Sequence, residues 1–471
     1  MEVASPVTSV SKRRVLGWIA LAALVGAGCE RRPAAPPHIV LISADALRWD
    51  HLSMNGYARA TSPHVDAFAE HATRFDDAIT LIPKTGPAFT TLFTGLAPRR
   101  HGVDANRYAI PAELPMLAER LGAAGYRTTA FVSNPVLKQV YGFSRGFERY
   151  TVFGESDAVE HVEKAAVEWI DAADFSRPTF LWVHLIDPHG PYEPNAEDLA
   201  AFRDDAVARA DTRRVPLEYE RIPGYNPIYV LGAVPSYQRV GDEDRAAYYV
   251  AAYDAEIRRM DRVFGALVDA LARRGVFDDA VVVFLADHGE SLGEQDYWFE
   301  HGWFAFDGSL RVPLLVKAPG QRRPATVHGA ASLLDVTPTL LALAGLPPVP
   351  ALPGRDLLGA GPGADPVVIF NATTYPERYA GLRTPEWKYL RRVRPEDGVG
   401  AVAPLPADAL YDLRGDPAEA HDLAPQQPER IAALRAELSR RLADMGPPPK
   451  RVAPEIDAAS KEQLRALGYA E

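Results

Sequence analysis

Four side chains stand where short buried strands end or turn into helices: Asp45, Thr85, Asp287 and His288. Two carboxylates, an imidazole and a hydroxyl make a reasonable ligand set for one divalent cation. Such a cation lowers the pKa of the Thr85 hydroxyl and orients it as a nucleophile. A threonine far from any metal or base has too high a pKa to react, so cluster and nucleophile stand or fall together. Singly, each residue has an ordinary reading: Thr85 as a helix cap, the others as caps, surface groups or salt-bridge members. Asp287-His288-Gly289 directly after a hydrophobic strand is the strongest single element. Pro87 suits the first turn of a helix running into Leu92-Phe93-Thr94-Gly95. The N–H groups behind Thr85 are then expected to face an anion above its hydroxyl.

The elements that must position these residues follow from pattern. His38–Ser43, Thr128–Val132, Thr179–Leu185 and Ala280–Leu285 are short apolar, β-branched runs, read as buried strands. Asp45, Ser133-Asn134, Asp187-Pro188-His189 and Asp287-His288 follow them, at the carboxyl ends where open α/β sheets bind ligands. Helical spacing is read at 63–71, 117–124, 157–173 and 244–273. The spacing thus predicts an α/β fold: a large, mostly parallel sheet sandwiched by helices. After the Gly/Pro-rich stretch 352–366 come strand-like segments at 367–370, 387–391 and 410–413 and a helix at 428–445. These form a smaller α+β domain, an antiparallel sheet plus helix. The catalytic domain is expected at 38–360, with an insertion or lid at 193–242; the small domain spans 366–450 and a tail 451–471. Tyr219, Tyr225, Tyr229 and Tyr237 in the insertion either line a substrate mouth or pack the insertion onto the domain.

With 471 residues, 47% of them hydrophobic, the chain can bury a large core. Its net charge of -11 argues against nucleic acid as a partner. Lys12-Arg13-Arg14 precede the apolar run Val15–Ala27, too short to span a bilayer. The run leads to Gly28-Cys29, which resembles a lipobox, although Gly26 stands where leucine is more usual. Residues 1–29 are therefore expected to be a lipoprotein-type signal, and the Pro-rich segment 30–37 a tether. Cys29, the only cysteine, would carry a lipid anchor on an exported periplasmic or cell-surface protein of a bacterium.

Further motifs carry a resemblance. Asp45-Ala46-Leu47-Arg48, Thr94-Gly95 with Arg100-His101-Gly102, Gly125-Tyr126-Arg127-Thr128, Asp187-Pro188-His189-Gly190-Pro191-Tyr192, Asp287-His288-Gly289-Glu290 and Ser309-Leu310-Arg311-Val312-Pro313 occur in that order. With Leu382-Arg383-Thr384, Leu410-Tyr411-Asp412-Leu413 and the ending Leu464–Tyr469, they resemble the sulfatases and sulfatase-like hydrolases of the alkaline phosphatase superfamily. The resemblance implies metal ligands Asp45, Thr85, Asp287 and His288 for one divalent ion (Ca, Mn or Zn). It leaves room for a second ion at Asp187, His189 and His301. It also implies that His189 and His301 reach the substrate's anionic oxygens or protonate the leaving group. Asn134 lies on the anion side. Arg48 contacts the anion or pairs with a nearby carboxylate, and Arg311 and Arg383 are structural.

The departures bear on function. Where sulfatases have Cys or Ser, then x-Pro-Ser-Arg, this chain has Thr85-Gly86-Pro87-Ala88-Phe89. Threonine cannot be oxidised to formylglycine, Phe89 replaces the arginine, Ala46 replaces a metal-ligating aspartate, and the family's lysine is missing near Ser133-Asn134. What remains is similar to the phosphorus-directed side of the superfamily: phosphodiesterases, phosphonate monoester hydrolases and phosphoethanolamine or phosphoglycerol transferases. The expectation is a metal-dependent hydrolase cleaving a phosphate or phosphonate ester through Thr85. Its substrate would be a small anionic ester, such as a glycan or lipid-headgroup derivative. The alternatives are a sulfuric ester hydrolase working without formylglycine and an inactive member that binds anions or glycans. A transferase is the weaker alternative, because those relatives usually carry several membrane spans.

Overall fold

Strand formation follows the apolar runs. The computed structural model describes residue 1 and residues 36–154, 158–218, 232–361, 363, 365–371, 379–393 and 406–469. Six main strands are β1 (Ile39–Ala44), β2 (Thr73–Ile79), β3 (Arg127–Val132), β4 (Arg149–Val152), β5 (Thr179–Leu185) and β6 (Val281–Ala286). They belong to a nine-stranded sheet in the order Ala325–Ser332, β2, Leu314–Lys317, β6, β1, β5, β3, β4, with Arg311–Val312 against β2. The pairs β1/β5, β1/β6, β3/β5 and β3/β4 are parallel, whereas Leu314–Lys317 runs antiparallel to both β2 and β6. The mostly parallel sheet is as the sequence predicts.

Register does the positioning. Ala44 pairs with Leu185 on one side and Ala286 on the other, so the three strands end level. Asp45, Ile186 and Asp287 therefore leave the sheet side by side. The 28-residue helix Ala246–Arg273 packs through Tyr253, Ile257, Phe264 and Leu271. Its Tyr253 hydroxyl donates to the Ala46 carbonyl (2.7 Å) and accepts from the Arg48 N–H (2.9 Å), pinning the loop after β1.

The expected small sheet is present, antiparallel in the order Val367–Phe370, Tyr379–Arg383, Trp387–Arg392, Asp408–Asp412. Helix Pro428–Asp444 covers it through Ile431 and Leu438. On its other side Ile369, Tyr379, Leu390 and Tyr411 share one apolar cluster with Ile79, Trp303 and Phe306 of the main body. The described part of 193–242 contains helices Ala196–Phe202 and Ala206–Ala210, and Phe202 packs on Ala251 and Ala255 of the long helix. The signal-type segment with Cys29, most of the tether, and Tyr219, Tyr225 and Tyr229 lie outside the described residues.

Candidate active site

Asp45, Thr85, Asp287 and His288 converge, all fully buried. Thr85 opens helix Thr85–Thr94. Its Oγ1 lies 3.2 Å from His288 Nε2 and 3.5 Å from Asp45 Oδ1. The ligand atoms of Asp45, Asp287 and His288 lie within 4.8 Å of one another. Ala46 adopts a left-handed φ of 56°, costing about 1 kcal/mol for a residue with a Cβ. That turn lets its N–H donate to Asp287 Oδ1 at 3.2 Å. In Asp287-His288-Gly289 the glycine is required, because a Cβ would stand 2.2 Å from the Gly308 carbonyl oxygen.

The donor set fits a cation. His288 Nδ1 faces the Gly289 carbonyl at 2.9 Å, and a carbonyl only accepts, so Nδ1 carries the proton. Burial lowers this imidazole to about 4, so it is neutral and its Nε2 presents a lone pair. That lone pair faces Asp287 Oδ2 at 3.4 Å and Asp45 Oδ1 at 3.5 Å. Asp287 Oδ2 is buried without a hydrogen-bond partner among the described residues. Burial, then the neighbouring Asp45 charge, push the Asp287 carboxyl well up. Three electron-rich atoms turned on one another are what a divalent ion resolves.

Asp45 is held from behind. His184 Nε2 lies 3.2 Å and Asn134 Nδ2 2.6 Å from its Oδ2. Burial alone would raise this carboxyl; His189, His184 and His288 outweigh it and hold it below the carboxylate range. Asn134, expected on the anion side, thus spends its amide on Asp45. The remaining predicted residues divide. His301 stacks on His288 with ring centroids 4.2 Å apart, and its Nδ1 lies 3.1 Å from Glu290 Oε1. Burial pushes the His301 imidazole well down. His189 also sits in the site, lowered by burial, but both its nitrogens are engaged: Nδ1 with the Gly190 carbonyl (2.6 Å) and Nε2 with the Tyr469 hydroxyl (2.6 Å).

Three expectations are corrected. Arg48 does not join the cluster; its guanidinium goes to Asp50, Glu294 and the Glu290 carbonyl, the carboxylate pairing that was the alternative. Asp187 is gripped by Arg259 at 2.5 and 2.9 Å, which takes it from a second ion site. The helix end offers little to an anion either, because the Gly86 N–H donates to Asn106 Oδ1 (2.9 Å) and Pro87 has none. Arg383, by contrast, is structural as expected, bridging Asp77 and Asp307.

Three participants escape the sequence reading. His184 hides in a strand with nothing to mark it. Lys84 is buried beside the nucleophile, and its charge reaches His189, His288, His301 and Glu290. Tyr469 lies within the Leu464–Tyr469 motif but has no role there.

Residues 37–346, most of the main body, match the family model for sulfatases. The chain belongs to the sulfatase family. As a sulfatase-family member it is an ester hydrolase, with a metal-ligand cluster of the kind that family uses. It is similar to choline-sulfatase of Rhizobium meliloti (strain 1021), 26% identical over 452 residues and covering 85% of each chain. It is also similar to human arylsulfatase A, 28% identical over 448 residues, covering 85% of this chain and 87% of the relative. The phosphonate monoester hydrolase of Agrobacterium radiobacter shares the fold at a TM-score of 0.68 and 24% identity, over 87% of this chain and 95% of the other.

Proposed function

We propose that this sulfatase-family hydrolase cleaves a phosphate or phosphonate ester through Thr85. The observation that carries the reading is the buried Thr85 hydroxyl, 3.2 Å from His288 Nε2 and 3.5 Å from Asp45 Oδ1, where other sulfatases carry the oxidisable residue. Asp45, Thr85, Asp287 and His288 would hold a divalent ion, which would supply Lewis acidity to a substrate oxygen and to the Thr85 hydroxyl. Thr85 Oγ1 forms a bond to phosphorus as the bond to the leaving alcohol breaks; the proton the threonine hydroxyl gives up balances the one the departing alcohol takes, and His301 is placed to hydrogen-bond that alcohol. Water then releases the phosphoryl group and restores the threonine hydroxyl. Lys84 favours an anionic substrate at this end of the sheet.

Phosphorus is preferred to sulfur on chemical grounds. A sulfated threonine has no aldehyde-hydrate route for expelling sulfate, whereas water can displace a phosphothreonine ester at phosphorus. Phe89, in place of the family's arginine, stacks into the core between Phe93, Trp182 and His184, so no cation replaces it at that position. Sulfate-ester hydrolysis is the second reading, favoured by the sulfatases among the relatives. We also propose that the chain is exported and tethered through a lipid on Cys29.

The test loads the purified chain with defined divalent metals and compares an aryl sulfate, an aryl phosphodiester and an aryl phosphonate. Turnover of a phosphorus ester that falls at least about 10³-fold in Thr85→Ala is the expected result. Sulfate release dependent on Thr85 would install the second reading. Turnover that survives in Thr85→Ala would reject the nucleophile.

A further inference from the structure

Helix Ala458–Ala466 is clipped to the main body by Lys138, whose Nζ donates to Ser460 Oγ (2.8 Å) and Gln463 Oε1 (2.7 Å). Gly468 then turns the chain with a φ of 77°, and a Cβ there would lie 2.5 Å from the Tyr237 ring. Only glycine suits that turn. It delivers the buried Tyr469 into the site from nearly four hundred positions away in the chain, its hydroxyl 3.2 Å from Thr85 Oγ1, 3.4 Å from Asn134 Nδ2 and 2.6 Å from His189 Nε2. The Lys84 ammonium stands 5.0 Å from the centre of the Tyr469 ring.

The directions of these hydrogen bonds are fixed by their partners. The Gly190 carbonyl only accepts, so His189 Nδ1 carries the proton and Nε2 of the neutral ring is an acceptor. Tyr469 therefore donates to His189. Asn134 Nδ2 only donates, so toward both Asn134 and Thr85 the phenol oxygen presents lone pairs. Once His288 Nε2 and Asp45 Oδ1 are given to the cation they would hold, the Tyr469 oxygen is the acceptor left for the Thr85 hydrogen.

We propose that Tyr469 is a further catalytic residue of this hydrolase: it accepts the hydrogen bond of the Thr85 hydroxyl and so turns that oxygen's lone pairs toward the substrate. The inference rests on Thr85 being the nucleophile. A phenol that only filled the substrate's seat would have the opposite signature, since removing it would leave catalysis unchanged or faster.

The experiment compares full-length wild type, Tyr469→Phe and Thr85→Ala on the ester the wild type turns over, alongside metal content, Tm and calorimetric binding of inorganic phosphate. Loss of the hydroxyl alone is expected to lower kcat about 10- to 100-fold through misorientation of the nucleophile. KM and the phosphate Kd should stay within about twofold, because the phenol serves the nucleophile and not the anion. Metal content and Tm should not move. An unchanged or raised kcat in Tyr469→Phe overturns the proposal, and so does loss of the metal. A phosphate Kd weakened about tenfold would place the phenol on the anion and also overturn it. Persistent turnover in Thr85→Ala defeats the nucleophile reading itself, a failure distinct from that of Tyr469→Phe with Thr85→Ala inactive.

Discussion

His101 sits fully buried behind the helix that opens on Thr85, with both ring nitrogens committed. Its Nδ1 accepts the Val103 N–H at 3.0 Å, so Nε2 carries the proton and donates to Thr91 Oγ1 at 3.0 Å. Protonating Nδ1 would set two donors against each other, and burial lowers the imidazole to about 3. The unfolded chain binds this proton near the ordinary value of about 6.5 and the folded chain does not. Stability is therefore lost as pH falls below about 6.5, at up to about 1.4 kcal/mol per pH unit, until the folded value is reached. Urea unfolding of wild type and His101→Asn between pH 6.5 and 4 should show wild type losing stability more steeply. Parallel curves would show that His101 is not the group. At this scale Asp45, Asp287 and His288 were legible because strand ends mark where chemistry gathers, and Thr85 because Pro87 marks the first turn of the helix it opens. Arg48 was not, because its sequence context suits an anion contact and an ion pair equally. Only the fold brings Glu294 to it.

Among the strands of the main sheet, the most legible in the sequence are those whose side chains are buried on both faces. Strands β1, β5 and β6 read as apolar runs because nearly every side chain in them is packed into the core; Ser43 and His184 are tolerated by pairing with each other. Strand β2 escaped, because TRFDDAI carries Asp76 and Asp77 and lacks that signature. Asp77 has a partner that no local pattern reveals: Arg383, on strand Tyr379–Arg383 of the small sheet, donates to both its oxygens at 2.7 Å. The same guanidinium meets Asp307 at 3.0 and 2.6 Å. Asp77 and Arg383 are buried and Asp307 is half-buried, so the pair of sheets is joined by charge as well as by the shared apolar cluster. Arg383→Leu would leave buried Asp77 with only Arg311 at 3.7 Å and half-buried Asp307 with only Lys388 at 3.1 Å, costing about 3 kcal/mol. The matching variant Arg383→Leu with Asp77→Asn and Asp307→Asn should recover part of that loss in urea unfolding. If Arg383→Leu alone costs less than about 1 kcal/mol, the clamp is not a stabilising element.

At the scale of the whole molecule, the proposed membrane tether has to act on an acidic hydrolase. A net charge of -11 repels it from anionic lipid. No helix among the described residues is long and apolar enough to cross a bilayer. The run Val15–Ala27 falls short of the ~20 apolar residues a span requires. The proposed attachment would rest on covalent lipid, and Cys29 is the one thiol in the chain. A single acyl chain gives only marginal binding, so a lasting tether needs two or more chains on that residue. Expressed in a bacterium with radiolabelled palmitate, the wild-type chain should carry label and sediment with membranes until detergent releases it. Cys29→Ser should carry none, with membrane-bound protein reduced about tenfold or more. Equal labelling of both proteins would move the anchor elsewhere. An unlabelled, fully soluble wild type would instead leave Val15–Ala27 as a simple export signal and the hydrolase free of the membrane, with the site at Thr85 untouched by the outcome.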